Sequence, residues 1–252
     1  MIVNFVNVNR NGTANTNPDP LFVADENAAK AILESTFFNN IMLTFNVGLG
    51  FSARTGRDVT GSGVSSSNAA TQVDVTYDNL RTALLNSGQP NFFNDANLPA
   101  GDGLPINVPP AGQMPVTISN FWLTSSQQKA LGLPSRRAGV DGFIGIGTTV
   151  AAGLDRVATL LHEVGHAMGR FDTPQDRGRL GTWDPEMDLV RFTSKGNRLI
   201  IEGGGGFFSL DGGATSLVNW SLLPAPPPTF STRPITLTGR SAVASIHTMQ
   251  QV

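Results

Sequence analysis

The stretch Leu154-Asp155-Arg156-Val157-Ala158-Thr159-Leu160-Leu161-His162-Glu163-Val164-Gly165-His166-Ala167-Met168-Gly169 decides the reading of this chain. At about 100° per residue, Leu154, Val157, Ala158, Leu161, Val164, Gly165 and Met168 fall on one arc of roughly 120°. The spacing predicts an amphipathic helix from about Leu154 to Met168. Asp155 lies in its first turn, where the helix dipole favours an anion. Gly169 is the expected C-terminal breaker.

His162 and His166 stand four residues apart on this helix. Both imidazoles therefore leave from one side, with Cβ atoms about 5–6 Å apart. That spacing suits a two-point grip on zinc at Zn–N distances of about 2.0–2.1 Å. Glu163 projects from the adjoining arc, where it reaches a water on the metal rather than the metal, and is the natural general base. At this composition the pattern H-E-x-x-H arises by chance on the order of 1 time in 1,400. A catalytic zinc also needs a third protein ligand and an open position. Gly169 lets the chain turn back beneath the metal, and a carboxylate is an acceptable ligand. The proposed shell is His162, His166 and Asp172, with Asp176 or Asp184 as alternatives to Asp172.

Outward from this helix the pattern is α/β (α+β). Met1–Val8 alternates as a strand, and Asp25 is placed to cap a helix from Glu26 to about Asn39. Ile41–Val47 reads as a strand ending in Gly48-Leu49-Gly50. Residues 54–68 are Gly/Ser-rich and predict a loop. Thr76–Asn86 reads as a short helix, Pro115–Ile118 as a strand, Thr124-Ser125 as a cap for a helix to about Leu131, and Gly142–Gly147 as a Gly-spaced strand. Beyond Gly169 the strand candidates are short: Met187–Phe192, Leu199–Ile201, Phe207–Leu210, Ser216–Trp220 and Ile235–Leu237. The chain reads as one domain over 1–252, with an upper part, 1–169, ending in the histidine helix, and a smaller irregular or β C-terminal part, 170–252.

Composition removes several function classes. Charged residues are 14% of the 252, against about 25% in an ordinary soluble domain, and the net charge is −2. No basic block points to nucleic acid or to an anionic lipid surface. There is no Cys, which excludes disulfides and thiolate chemistry. No apolar run approaches the ~18 residues of a membrane span. No signal-peptide pattern is visible at the start. Gly203–Gly206 with Asp211-Gly212-Gly213 superficially resembles calcium-binding Gly/Asp repeats, but Phe208 sits where that frame needs Asp. His247, the third histidine, reads as a surface residue.

The frame H-E-x-x-H-x-x-G-x-x-D, from His162 to Asp172, resembles the metzincin clan, and in its final Asp is similar to the snapalysin-type small neutral proteases. Looser patterns similar to bacterial reprolysin-like metalloproteases occur at Gln128–Leu133, Asp141–Gly145, Asp188–Phe192 and Phe207–Gly213. The resemblance implies a twisted mixed sheet with two main helices, one of them the active-site helix, above a small C-terminal subdomain. It implies Zn2+ as cofactor, Asp172 in the place of the usual third His, and Met187 as the methionine of a turn beneath the zinc. It also implies an edge strand near Gly142–Gly147 that binds extended peptide through its main chain, and an extracellular bacterial protein. The Tyr that follows the Met-turn in some metzincins has no counterpart, since the only tyrosine is Tyr77.

The expected function is a zinc-dependent endopeptidase, with Glu163 catalytic and His162, His166 and Asp172 on the metal. Its expected partner is a protein or peptide substrate, and it is expected to be a monomer. The alternative is a catalytically silent, metal-stabilised binding or structural module. Glu163 weighs against that alternative, because a structural zinc has no use for a base.

Overall fold

The structure is a computed structural model and describes residues 1–59, 65–69, 72–87, 97–106, 116–134, 139–170, 184–185, 189–198 and 206–220. It is a mixed α/β chain with four helices among the described residues. None of these helices is long and apolar enough to cross a membrane.

The principal sheet is built from β1 (Ile2–Asn7), β2 (Met42–Leu49), β8 (Gly142–Ile146) and β3 (Ser65–Ala69), in the order β1-β2-β8-β3. The first three run parallel and β3 runs antiparallel on β8. Parallel neighbours need a crossover, and α1 (Pro20–Thr36) supplies the one between β1 and β2. Alternate residues of the strands face one side: Val3, Leu43, Phe45, Val47, Ile144 and Ile146 are fully buried there. Phe22, Ala29, Leu33 and Phe37 from α1 and its C-cap meet them, with Val157, Leu160, Val164 and Ala167 from α4 (Leu154–Ala167).

Four expectations are corrected here. The Gly142–Gly147 strand is not at the edge, because β2 and β3 occupy both its sides. Among the described residues the edge beside α4 belongs to β3, a segment expected to lie in a loop. The helix placed at Glu26–Asn39 begins six residues earlier at Pro20, with Asp19 accepting from the N–H groups of Leu21 and Phe22. An acidic N-cap followed by Pro at the first helical position is a strong start signal. Asp25 is therefore not a cap but a buried residue within α1. Finally, the buried face of α4 is centred on Val157, Leu160, Val164 and Ala167, while Leu154 is 88% exposed. The helix is rotated from the expected arc toward Leu160, and this carries Glu163 into the buried sector.

Two glycines are set by geometry. A Cβ on Gly142 would lie 2.8 Å from the Ala167 Cβ, so β8 and the end of α4 approach too closely for a side chain. Gly169 has φ +109°, and a Cβ there would collide with the Gln127 side chain. This is the helix-terminating position that the sequence predicts.

A second core lies alongside. β4 (Gln72–Thr76) and β7 (Asn120–Thr124) pair antiparallel, β5 (Leu104–Ile106) pairs with β6 (Val116–Ile118), and α2 (Tyr77–Leu85) packs on them. Tyr77, Leu80, Leu98, Phe121 and Leu123 are buried in it, and Leu189, beyond position 169, joins them. β9 (Asp184–Pro185) runs parallel to β7. α3 (Ser125–Ala130) starts with a capping box between Thr124 and Gln127. β10 (Arg191–Ser194), β11 (Asn197–Arg198), β12 (Gly206–Phe208) and β13 (Val218–Trp220) form an antiparallel sheet ordered β11-β10-β12-β13. Ile235–Leu237 and His247 lie outside the described residues.

Candidate metal centre

α4 positions both histidines. Its N-terminus has no side-chain cap of its own, and the Gly153 N–H is instead received by Asp25 Oδ1 from α1 at 3.0 Å. Arg156, in the first turn of α4, is buried and pairs with Asp25 at 3.2 Å. Its guanidinium also donates to the Val150 carbonyl and lies 5.7 Å from the centre of the Phe22 ring. At the other end, Thr124 Oγ1 donates to the Met168 carbonyl at 3.2 Å. The helix is thus fastened to α1 at its start and to the second core at its end.

One turn from that end, His162 Nε2 and His166 Nε2 converge to 2.9 Å, with the rings edge-on at 83°. Two nitrogens bound to one tetrahedral metal at about 2.0–2.1 Å stand about 3.3 Å apart. The pair is a few tenths of an ångström short of that spacing. His166 Nδ1 donates to the Arg170 carbonyl at 2.7 Å. That bond keeps the proton on Nδ1 and leaves the Nε2 lone pair for a metal, the usual outer support of a ligating histidine. Burial, and then the neighbouring His166, hold His162 below the usual imidazole range, so it is neutral as a ligand must be. On these grounds the two histidines fit a zinc ion.

Glu163 is 6% exposed and its Oε1 accepts a hydrogen bond from the Ser65 hydroxyl on β3. β3 and the Glu163 carboxylate are therefore joined directly. The guanidinium of Arg170 lies 3.1 Å from His162 Nδ1. Burial lowers the Arg170 pKa, and the Glu163 carboxylate acts against that shift.

The structure brings His162, Glu163 and His166 together as the spacing predicts. Asp172 and Met187 lie outside the described residues, as does Asp176. Asp184 pairs with Phe121 through β9. Among the described residues no group of three His, Cys, Asp or Glu side chains gathers at one point. Two residues of the site were not foreseen. Arg170 sits inside the motif frame, where only its position could have flagged it. Ser65 is one of several serines in a Gly/Ser-rich stretch and carries no local signal.

No family model matches the chain, and neither a curated protein nor a solved structure matches it.

Proposed function

We propose that this chain is a zinc-dependent endopeptidase of the metzincin type. The observation that carries the reading is the convergence of His162 Nε2 and His166 Nε2 beside the buried carboxylate of Glu163. His162, His166 and a carboxylate, with Asp172 the first choice, would hold the metal. Bound zinc supplies Lewis acidity toward a carbonyl oxygen and a strongly acidified water.

The rest of the chemistry falls to the protein. Glu163 takes the proton of the attacking water and returns it to the leaving amine. Ser65 donates to Oε1 and so leaves Oε2 to take up that proton. An extended peptide would pair with the outer edge of β3, Ser65–Ala69, by β-augmentation. That edge is uncharged, and the Ser65–Glu163 bond sets its first residue against the base. A bound main chain would pass the carboxylate with no need for a deep side-chain pocket.

The test is Glu163→Gln, which keeps the size of the side chain and both histidines. Peptidase activity should fall by at least ~100-fold, the usual scale for a lost general base, while one equivalent of zinc stays bound. Wild-type turnover in that variant would remove the mechanism.

A further inference from the structure

We propose that the Arg170 side chain holds down the metal affinity of the His162–His166 pair, while the Arg170 main chain orients the same pair. The inference rests on the zinc-site reading above.

The hydrogen-bond partners assign every ring proton. The Arg170 carbonyl accepts from His166 Nδ1 at 2.7 Å, so that nitrogen carries a proton and Nε2 of His166 is an acceptor. A guanidinium offers only donors. His162 Nδ1, 3.1 Å from Arg170, is therefore an acceptor, and the proton of neutral His162 sits on Nε2. It is donated to His166 Nε2 at 2.9 Å. The result is a closed ring of bonds, from the Arg170 guanidinium through both imidazoles and back to the Arg170 carbonyl.

The two halves of Arg170 act oppositely on a metal. Its carbonyl prepares His166 as a ligand, and any residue at 170 would offer the same carbonyl. Its guanidinium prepares His162 as a donor. To present Nε2 to a cation, His162 must move its proton to Nδ1. That N–H would then face a guanidinium N–H, donor against donor, beside a fixed positive charge. Ligating histidines ordinarily turn their second N–H toward an acceptor, and Arg170 is the inverse of one.

The fold makes room for this guanidinium. Gly165 is the small residue between Glu163 and His166, and a Cβ there would stand 3.1 Å from Arg170 Nε. Glycine inside a helix costs about 1 kcal/mol relative to alanine, and here it admits the Arg170 side chain against α4. The guanidinium also reaches the His162 carbonyl at 3.5 Å. It is thus held over His162 from two sides rather than lying there by chance of rotamer.

The test compares zinc affinities of the full chain by competitive chelation. Arg170→Met keeps length, aliphatic packing and the main-chain carbonyl, and removes charge and donors. Its zinc dissociation constant should fall by about 10–100-fold, the scale of outer partners on a metal site. Arg170→Lys, which keeps the charge, should change it less. Affinity in Arg170→Met equal to or weaker than wild type would overturn the proposal, since a merely structural arginine predicts weakening. Zinc binding that survives in the double variant His162→Ala, His166→Ala would instead remove the site itself, and the proposal with it. Long-range proton–nitrogen NMR of the zinc-free chain gives a second reading. The His162 proton should sit on Nε2 in the wild type and redistribute in Arg170→Met. A wild-type proton on Nδ1 would also overturn the proposal.

Discussion

Ser65 and Glu163 stand 98 residues apart in the chain and meet side chain to side chain, the serine hydroxyl donating to Glu163 Oε1. The bond ties β3, the antiparallel strand of the main sheet among the described residues, to the carboxylate carried by the histidine helix. Because β3 is the outermost strand of that sheet among the described residues, the same strand offers a main-chain edge and steadies a carboxylate. In the peptidase reading, substrate position and base position are then set by one element.

Ser65→Ala removes the hydroxyl and nothing else from that arrangement. A hydrogen bond to a charged group contributes about 1.5–3 kcal/mol. If it serves mainly to aim the carboxylate, kcat should fall about 10-fold or more, with zinc content and KM little changed. Steady-state kinetics on an extended peptide beside metal analysis check this. A change confined to KM would place Ser65 in substrate binding and not in aiming the base.

Glu26 gives the fold a pH dependence of its own. Burial raises its pKa from 4.5 to about 7, against the hydrogen bond from Asn7, and the Asp25 carboxylate adds to the rise. A folded-state pKa above the unfolded one means the native chain binds the extra proton. The stabilisation is complete below pH 4.5, declines as pH rises through about 7, and levels off beyond it. The whole span is at most on the order of 3 kcal/mol. Glu26→Gln should flatten that part of the stability-against-pH curve in denaturant titrations. A curve that keeps its wild-type slope between those limits would assign the dependence to another group.

The clamp at the start of α4 should be costly to break from one side. Asp25 and Arg156 are both nearly sealed from solvent and 3.2 Å apart. Arg156→Met leaves a buried carboxylate with the Gly153 N–H as its remaining partner. Removing one member of such a pair typically costs about 3–5 kcal/mol. Asp25→Asn combined with Arg156→Met should cost less than Arg156→Met alone, since no bare charge remains. Chemical denaturation of Asp25→Asn, Arg156→Met and the double variant measures this, and strict additivity would argue against the pairing.

What could be read from the sequence divides by the range of the interaction. His162, Glu163 and His166 are legible because a helix places i and i+4 together whatever the rest of the chain does. The cap at Thr124 and the breaker at Gly169 are equally local, and both are present. The start of α1 was also local, in Asp19-Pro20, but the Asn- and Pro-rich run before it masked the signal. β3 was not legible. Ser65–Ala69 has no apolar alternation, and its strand conformation comes from pairing with β8. Ser65 and Arg170 reach the site through contacts that only the assembled fold specifies. The rotation of α4 toward Leu160 has the same origin, because α1 and the sheet decide which face of an apolar-rich helix they cover.

The enzyme and module readings separate on one treatment. 1,10-Phenanthroline should abolish peptide cleavage, and added zinc should restore it. If the chain carries one equivalent of zinc through His162 and His166 yet leaves a broad peptide library intact at every pH, the silent module is the better account. Intact turnover in the presence of the chelator would count against both.

The third ligand is the last matter to test. The helix supplies two nitrogens, and a catalytic zinc takes three protein ligands. Asp176 and Asp184 are the alternatives to Asp172 and lie further along the chain from the helix. Asp172 follows Gly169 by three residues, and the positive φ of Gly169 turns the chain out of the helix there. Asp172→Ala should therefore weaken zinc retention by well over the ~10–100-fold typical of an outer partner. Asp184→Ala should leave it near wild type, and Asp176→Ala should fall closer to Asp184→Ala than to Asp172→Ala. Asp172→His should hold the metal, because imidazole is a competent ligand. Chelator competition on the four variants decides the order. Wild-type retention in Asp172→Ala would move the search to Asp176 and Asp184.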